Sequence, residues 1–485
     1  MINVAAQLFA LFACTAFSRP LCSALWAGFV VAALAWIPVA SGSPTVGVYY
    51  YPWWGTGAGG HSFNQTLRAH TIPQAQLPAV GSYNNRNSSV ISAHIDQSHQ
   101  GNISMWSMSW WGPGTFEDVT IRQHILPHAR SSELKYTIHY ESTGRLGTFA
   151  NPNYANLLPD FQHLATHVFS DPNYLRIDGR PVVFVYLTRE YFKTPASWDA
   201  LSQMRSTIEQ QFGYDPYIIG DDFFGFRTVD PARASQFDAI TAFDVYGMAF
   251  GSGNVTQSRV DFLERIYGDA KSTAETLNVG FVPTVSPGFN DKGVRAGHQP
   301  AARYLSELGP TAQGSLMTSI LEDAVLPHTD PSVGDLVMVN SFNEWHEDTQ
   351  IEASTISPLT NTDDSTTGMA LTVGRYYEGY GGLYLDLLRD ATLLNGDYDR
   401  DSDVDSHDYF AWKSSFGLTG PSLWSDGNRD GIVDAADYVL WRKAAQIGGG
   451  APISLNAVPE PSVVTYLLCA IQVFCCWRRL PDALE

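Results

Sequence analysis

Cysteine is nearly missing from the body of this 485-residue chain: the five that occur stand at its ends, as Cys14, Cys22, Cys469, Cys475 and Cys476. The stretch between them therefore has no disulfide, no thiol nucleophile and no thiolate-held metal. Positive charge is scarce too. Lys and Arg number 29 against 49 Asp and Glu, giving a formal net charge of -20 and a pI near 4.9, and no Lys/Arg cluster makes a local basic patch. Such a surface repels phosphates, which excludes nucleic acid as a partner. What is present in quantity is apolar and aromatic: 44% hydrophobic and 13% aromatic residues, enough for a large core. The length suits a barrel of roughly 250 to 400 residues with appendages.

The two ends read as processing segments. From Met1 to about Ala40 run two apolar stretches split by Arg19 and closed by VASGSP. That pattern fits a leader, residues 1–42, that exports the protein, although no basic residue precedes Arg19. At the other end VPEPS from Val458 precedes the apolar run VVTYLLCAIQVFCCW and then Arg478 and Arg479. This run is shorter than the roughly 20 residues of a comfortable span. A transient anchor fits it better than the alternative, a permanent membrane helix.

Between residues 44 and 390 eight β-like runs alternate with stretches long enough for helices. They are TVGVYYY from Thr45, ISMWSMS from Ile103, KYTIHY from Lys135, PVVFVYL from Pro181, PYIIGDD from Pro216, DAITAFDVY from Asp238, VGFVPTVS from Val279 and DLVMVNSF from Asp335. LLPDFQHLATHVF, from Leu157, has apolar residues at helical spacing. The pattern predicts an α/β fold, a closed (β/α)8 TIM barrel over 44–390, with a small C-terminal helical calcium-loop module. The alternative, an open doubly wound sheet, wants a glycine-rich phosphate loop after its first strand, and GTGAGG at Gly55 lacks the spacing.

Barrel enzymes keep their chemistry at the C-terminal ends of the strands. Behind the eighth run stands NEWHEDTQIE, with Glu344 and Glu347 three residues apart. Glycosidic bonds are generally broken by such a pair of carboxyl groups, one protonating the leaving oxygen while the other acts on the opposite side of the sugar. Without its barrel setting, the same pair reads as an exposed acidic loop. Other strand ends bring aromatics and acids to the same rim: Tyr51, Trp53 and Trp54, then Trp110 and Trp111, Glu141, Tyr186, Asp221, Asp222, Asp244, Tyr246, Asn290 and Asp291.

Residues 395–447 carry a duplicated loop of acidic residues. Asp397, Asp399, Asp401, Asp405 and Asp408 take positions 1, 3, 5, 9 and 12, and 29 residues later Asp426, Asn428, Asp430, Asp434 and Asp437 repeat the set. Hard oxygen ligands at those intervals wrap one Ca²⁺ each, with the backbone carbonyl of Asp403 or Ile432 at position 7. Gly431 supplies the turn in the second loop, and Ser402 stands in its place in the first. Each loop runs into a similar helix, YFAWK at Tyr409 and YVLWRK at Tyr438.

That segment resembles a dockerin, which implies two structural Ca²⁺ and a cohesin-like protein partner. The tail within 448–485 resembles a PEP-CTERM sorting signal, which implies transient membrane anchoring and the outer surface or exterior of a Gram-negative-type bacterium. The barrel resembles glycoside hydrolase family 99, the endo-α-mannosidases. The pieces that carry the likeness are YYYPWWG from Tyr49, SWWGPG from Ser109, IHYESTGR from Ile138, GRPVVFVY from Gly179, SPGFND from Ser286 with Arg295 soon after, and SFNEWHEDTQIE from Ser341. The resemblance implies no catalytic metal and cleavage inside α-mannoside chains with retained configuration. It gives Glu344 the role of base toward the substrate's own 2-hydroxyl, which closes to a 1,2-anhydro sugar, and Glu347 that of acid and then base. Glu141, Tyr51, Trp53, Trp54, Trp110, Tyr186, Tyr246, Asn343, His346 and Arg295 make up the expected sugar-binding set, His346 through orientation or packing. Two departures stand out: FDVYG in the sixth run in place of a Tyr-rich stretch, and Asp348 where the family commonly has Gly. Rival readings are a hydrolase of another α-linked polysaccharide and a non-catalytic carbohydrate-binding surface protein.

Overall fold

The computed structural model describes residues 43–447 except 224–227, 247–254, 296, 401–402, 421–422 and 429. The leader, the sorting tail and the ligand candidate Asp401 thus lie outside the described residues. The chain divides into two compact units, Met1–Leu393 and Leu394–Glu485.

In the first unit the strands are β1 (Val46–Tyr50), β2 (Met105–Trp110), β3 (Lys135–Tyr140), β4 (Arg180–Val185), β5 (Tyr217–Asp221), β6 (Ala239–Thr241), β7 in two pieces (Gly280–Val282 and Thr284–Val285) and β8 (Val337–Val339). Each pairs in parallel with the next, and β8 returns to β1 with Val337 opposite Val46, so the ring closes as a (β/α)8 barrel. The break in β7 falls at Pro283, which has no N–H for the ladder. Its first piece pairs with β6 and its second with β8.

The strands are buried on both faces, as parallel barrel strands are. Alternate residues such as Tyr49, Met105, Phe184 and Met338 pack together inside the barrel. Their neighbours Val48, Tyr50, Trp106, Val183 and Val339 pack outward against the helices. Gly47 faces inward where a Cβ would lie 2.2 Å from Met105 Cε and 2.7 Å from Met338 Sδ, so a larger residue would have to displace both side chains. The outer layer includes α1 (Ser88–Gln100), α2 (Leu157–His167), α3 (Pro195–Phe212), α4 (Gln257–Leu277) and α5 (Leu383–Thr392). α2 buries Leu157, Phe161 and Leu164, the face its spacing predicts. α3 starts at a Thr194/Ser197 capping box with Pro195 in the first turn and stops at Gly213, φ 81°. Among the described residues no helix is long and apolar enough to cross a membrane.

The described residues of the second unit include two helices, α6 (Ser406–Ser415) and α7 (Ala435–Ile447). Asp408 accepts the N–H groups of Tyr398 (2.6 Å), Asp399 (3.1 Å) and Asp405 (2.7 Å), and its counterpart Asp437 accepts those of Asn428 (3.0 Å) and Asp434 (2.8 Å). The repeats also exchange bonds. Trp412 Nε1 donates to Asp434 O and Trp441 Nε1 to Asp405 O, both at 2.8 Å.

Candidate active site

The chain leaving β8 folds back on itself at once. Ser341 N–H donates to Thr349 O (2.8 Å), Ile351 N–H to Ser341 O (2.9 Å) and Glu352 N–H to Phe342 O (2.8 Å), so residues 341–352 form a closed loop at the mouth of the barrel. Inside that loop Ser341 Oγ accepts the N–H of Glu344 (2.8 Å). Glu344 Oε1 in turn accepts the N–H of His346 (2.8 Å) and lies 3.3 Å from His346 Nδ1. Trp345 points the other way, its Nε1 donating to Glu352 Oε2 (2.7 Å), which also accepts from Tyr83 Oη (2.9 Å). The motif's last acid is an anchor. Its first two stay at the surface of a cleft.

That cleft, about 800 Å³, is lined by Tyr51, Trp53, His61, Trp111, Glu117, Glu141, Tyr186, Phe243, Arg295, Glu344, His346 and Glu347, among others. Three carboxyl groups from β3 and the β8 loop thus face one space between aromatic walls. Glu347 pairs with Arg295 Nη1 at 2.8 Å. Burial and the neighbouring charge of Glu344 nevertheless push its carboxyl up to about 7, against the pull of Arg295. Glu141 accepts from Ser109 Oγ (2.7 Å), yet burial first and then Glu347 and Glu344 raise it to about 8. At neutral pH Glu141 holds its proton. Beneath it His139, buried among Tyr49, Phe243 and Tyr186, is driven down to about 3 and stays neutral.

Residues 46–366 match the sequence profile described as "Glycosyl hydrolase family 99". The chain belongs to glycosyl hydrolase family 99. Its relatives include the "Glycoprotein endo-alpha-1,2-mannosidase" of Mus musculus, 27% identical over 307 residues (60% of this chain, 59% of that one). Another is the protein of the same name in Xenopus laevis, 27% identical over 290 residues (57% and 58%). The chain spans under three fifths of the length of these relatives. Among solved structures, the GH99 endo-alpha-mannosidase of Bacteroides thetaiotaomicron in complex with BIS-TRIS-propane superposes with a TM-score of 0.51 at 19% identity, covering 76% of this chain and 99% of that one. At that identity the likeness is one of fold.

Of the expected family 99 sugar-binding residues, Tyr51, Trp53, Glu141, Tyr186, Arg295 and His346 do line the cleft. Trp54, Trp110, Tyr246 and Asn343 do not, and each is committed elsewhere. Trp54 is fully buried, stacked on Phe63 and His346, with Nε1 donating to Asn343 O (2.9 Å). Trp110 faces outward and donates to Asp118 Oδ1 (3.0 Å). Tyr246 donates to Gly288 O. Asn343 spends its amide on Tyr51, accepting its N–H (2.7 Å) and donating to its carbonyl (3.0 Å), which ties the end of β1 to the loop of residues 341–352. Asp221 and Asp222, at the end of β5, pair with Arg189 and Arg233. Trp111, which its strand end had placed on this rim outside the expected sugar-binding set, lines the cleft together with Phe243, His61 and Glu117, which sequence reasoning missed. The first two sit at inward positions of the two-residue strand period; nothing in the sequence marks the others.

In the second unit the carboxylates of Asp397, Asp399 and Asp408 come within 4.8 Å of one another, as do those of Asp403, Asp405 and Asp408. In the other loop Gly431, φ 83°, donates its N–H to Asp426 Oδ2 (2.8 Å), while Asp426 Oδ1 is buried and receives no hydrogen bond among the described residues. An all-oxygen, multiply charged donor set fits a hard divalent cation.

Proposed function

We propose that this chain is an exported, endo-acting, retaining glycoside hydrolase that cleaves α-mannosidic linkages in a polysaccharide or glycan. The observation that carries the reading is the meeting of Glu141, Glu344 and Glu347 in one aromatic-walled cleft, with Glu347 raised to about 7. An acid catalyst needs its proton at working pH, and a pair of carboxyls in unlike environments supplies both an acid and a base. In the first step Glu344 takes the proton of the sugar's 2-hydroxyl, O2 bonds to C1, the C1–O bond to the leaving sugar breaks, and Glu347 protonates the departing oxygen. In the second, Glu347 takes a proton from water, the hydroxide opens the 1,2-anhydro ring at C1, and Glu344 returns the proton to O2. Two inversions give retention. Glu141, neutral at that pH, donates to or accepts from sugar hydroxyls, and Tyr51, Trp53 and Tyr186 offer ring faces. Incubation with a panel of α-mannans, with sizing of the products and NMR of the first-formed anomer, tests this: internal cleavage and retention are expected. Inversion, or no cleavage of any α-mannan, overturns it.

Arg295 gives a separate prediction. Its charge holds Glu347 below the value that burial alone would set, so Arg295→Gln raises that carboxyl further. The proton needed for leaving-group departure is then lost at higher pH, and the alkaline limb of kcat/KM, expected near pH 7, moves up by about one unit. A limb that stays in place or moves down refutes the assignment of Glu347 as the acid.

The second unit we propose to be a dockerin-like module holding two Ca²⁺, one on Asp397, Asp399, Asp401, Asp405 and Asp408 and one on Asp426, Asn428, Asp430, Asp434 and Asp437. Its metal binding is coupled to folding, because the crowded carboxylates repel without a cation. EDTA is expected to abolish a Ca²⁺-dependent thermal transition of the full protein and to leave turnover within about twofold. Loss of activity on chelation would contradict it. A cohesin-like partner and transient anchoring at the outer cell surface complete the proposal, supported by the duplicated loops and the tail sequence.

A further inference from the structure

Directly after Glu347 comes Asp348, with φ 53°. That left-handed conformation is one Asp tolerates better than most residues. The side chain is fully buried and its carboxylate lies between two guanidinium groups that are themselves buried. Arg68 bonds through Nε to Oδ1. Arg303 approaches from the other side, Nε to Oδ2 and Nη2 to Oδ1, each at 3.3 Å. Both arginines also grip backbone. Arg68 Nη1 donates to Glu378 O (2.8 Å), while Arg303 Nη2 donates to Asp348 O (2.8 Å) and Gln350 O (3.0 Å). Tyr377 and Tyr380 cover Arg68, and Tyr380 and Tyr384 cover Arg303, at 4.7–5.3 Å from ring centre to guanidinium carbon.

None of these groups lines the cleft. A buried ionic cluster is a poor source of net stability compared with apolar packing, and its best-attested use is to impose one arrangement over others. The arrangement imposed here is that of the peptide carrying Glu347. Its own carbonyl accepts Asn290 N–H (2.7 Å), the next carbonyl is held by Arg303, and the next side chain is locked between Arg68 and Arg303. The backbone that follows the acid is thus held at three successive points.

We propose that the Arg68–Asp348–Arg303 cluster is a positioning device that sets the Glu347 carboxyl at the leaving-group side of the cleft. This rests on the reading of Glu347 as the proton donor. A displaced acid impairs departure of a poor leaving group far more than substrate binding, and displacement of about 1 Å costs on the order of 10²-fold in rate.

The test uses the full chain with Asp348→Gly, which keeps the left-handed backbone and removes the carboxylate, and Arg68→Lys, which keeps charge and loses the fork, in case the first variant fails to fold. The expected result is a kcat lower by roughly 10- to 100-fold on α-mannan with KM within about twofold. On an α-mannobiosyl fluoride, whose leaving group departs without a proton, the loss should shrink below about threefold. Amide hydrogen exchange at residues 344–350 should speed up in parallel. An equal loss on both substrates, or a lower melting temperature with kcat unchanged, overturns the positioning role. If wild-type protein cleaves neither substrate, the proposed function fails, and unchanged exchange at 344–350 in the variants overturns the cluster's hold on the loop independently.

Discussion

Replacing Glu344 by Gln is expected to lower turnover of α-mannan by about 10³-fold or more, equivalent to about 4 kcal/mol in the barrier. Gln keeps the shape and still accepts the N–H of His346, so the loop is expected to keep its fold. On the proposed mechanism, what vanishes is the capacity to remove a proton from the sugar's 2-hydroxyl, a step that route requires whatever the leaving group. The loss is therefore equally deep on a polymer and on a glycoside with an activated aglycone, and on a substrate whose 2-hydroxyl is absent even the wild type should be inert. Near-normal turnover by Glu344→Gln, measured by reducing-end release, would falsify the role.

Glu347→Gln should lose about 10³-fold on the polymer but less than about 10²-fold on a fluoride or dinitrophenyl glycoside, because only the polymer needs a proton on its departing oxygen. The contrast between the two variants separates base from acid, which neither loss alone would do. Stability moves in the opposite direction to activity. Glu347 is raised from about 4.5 to about 7 in the folded chain, so the folded state binds more protons than the unfolded one over that interval and stability falls as pH climbs through it. Gln has no proton to lose. The variant should match the wild type near pH 4 and melt higher above pH 7, and the gain is read by differential scanning calorimetry at the two pH values. Function kept at a cost in stability is common where like charges are crowded for chemistry.

Much of this was legible in the residues. Eight apolar runs at helix-allowing spacing gave the barrel because strands buried on both faces have no alternative composition. The runs also carried a finer signal. Positions 49 and 51, 109 and 111, 139 and 141, and 184 and 186 share the inward parity of their strands, and the residues there, Tyr51, Trp111, Glu141 and Tyr186, are the ones that reach the cleft. Trp110 breaks that parity and packs outward; Tyr246, displaced from the parity of Phe243, is likewise absent from the lining. Asn343 was opaque for another reason. In a loop no period applies, and whether an amide faces a sugar or the backbone of Tyr51 depends on a contact 292 residues away in sequence. His61 and Glu117 escaped because they come from connections, whose paths are set by packing partners such as Phe116 against Gly59 and Gly60.

The crossed indole bonds of the second unit have a further consequence. Because Trp412 serves the start of α7 and Trp441 the start of α6, each repeat carries a part that belongs to its twin. A single repeat would present an indole and a helix-entry carbonyl that each lack the partner its twin supplies. The two loops are thus structurally interdependent, and removal of either repeat is expected to weaken the helix entry of the other.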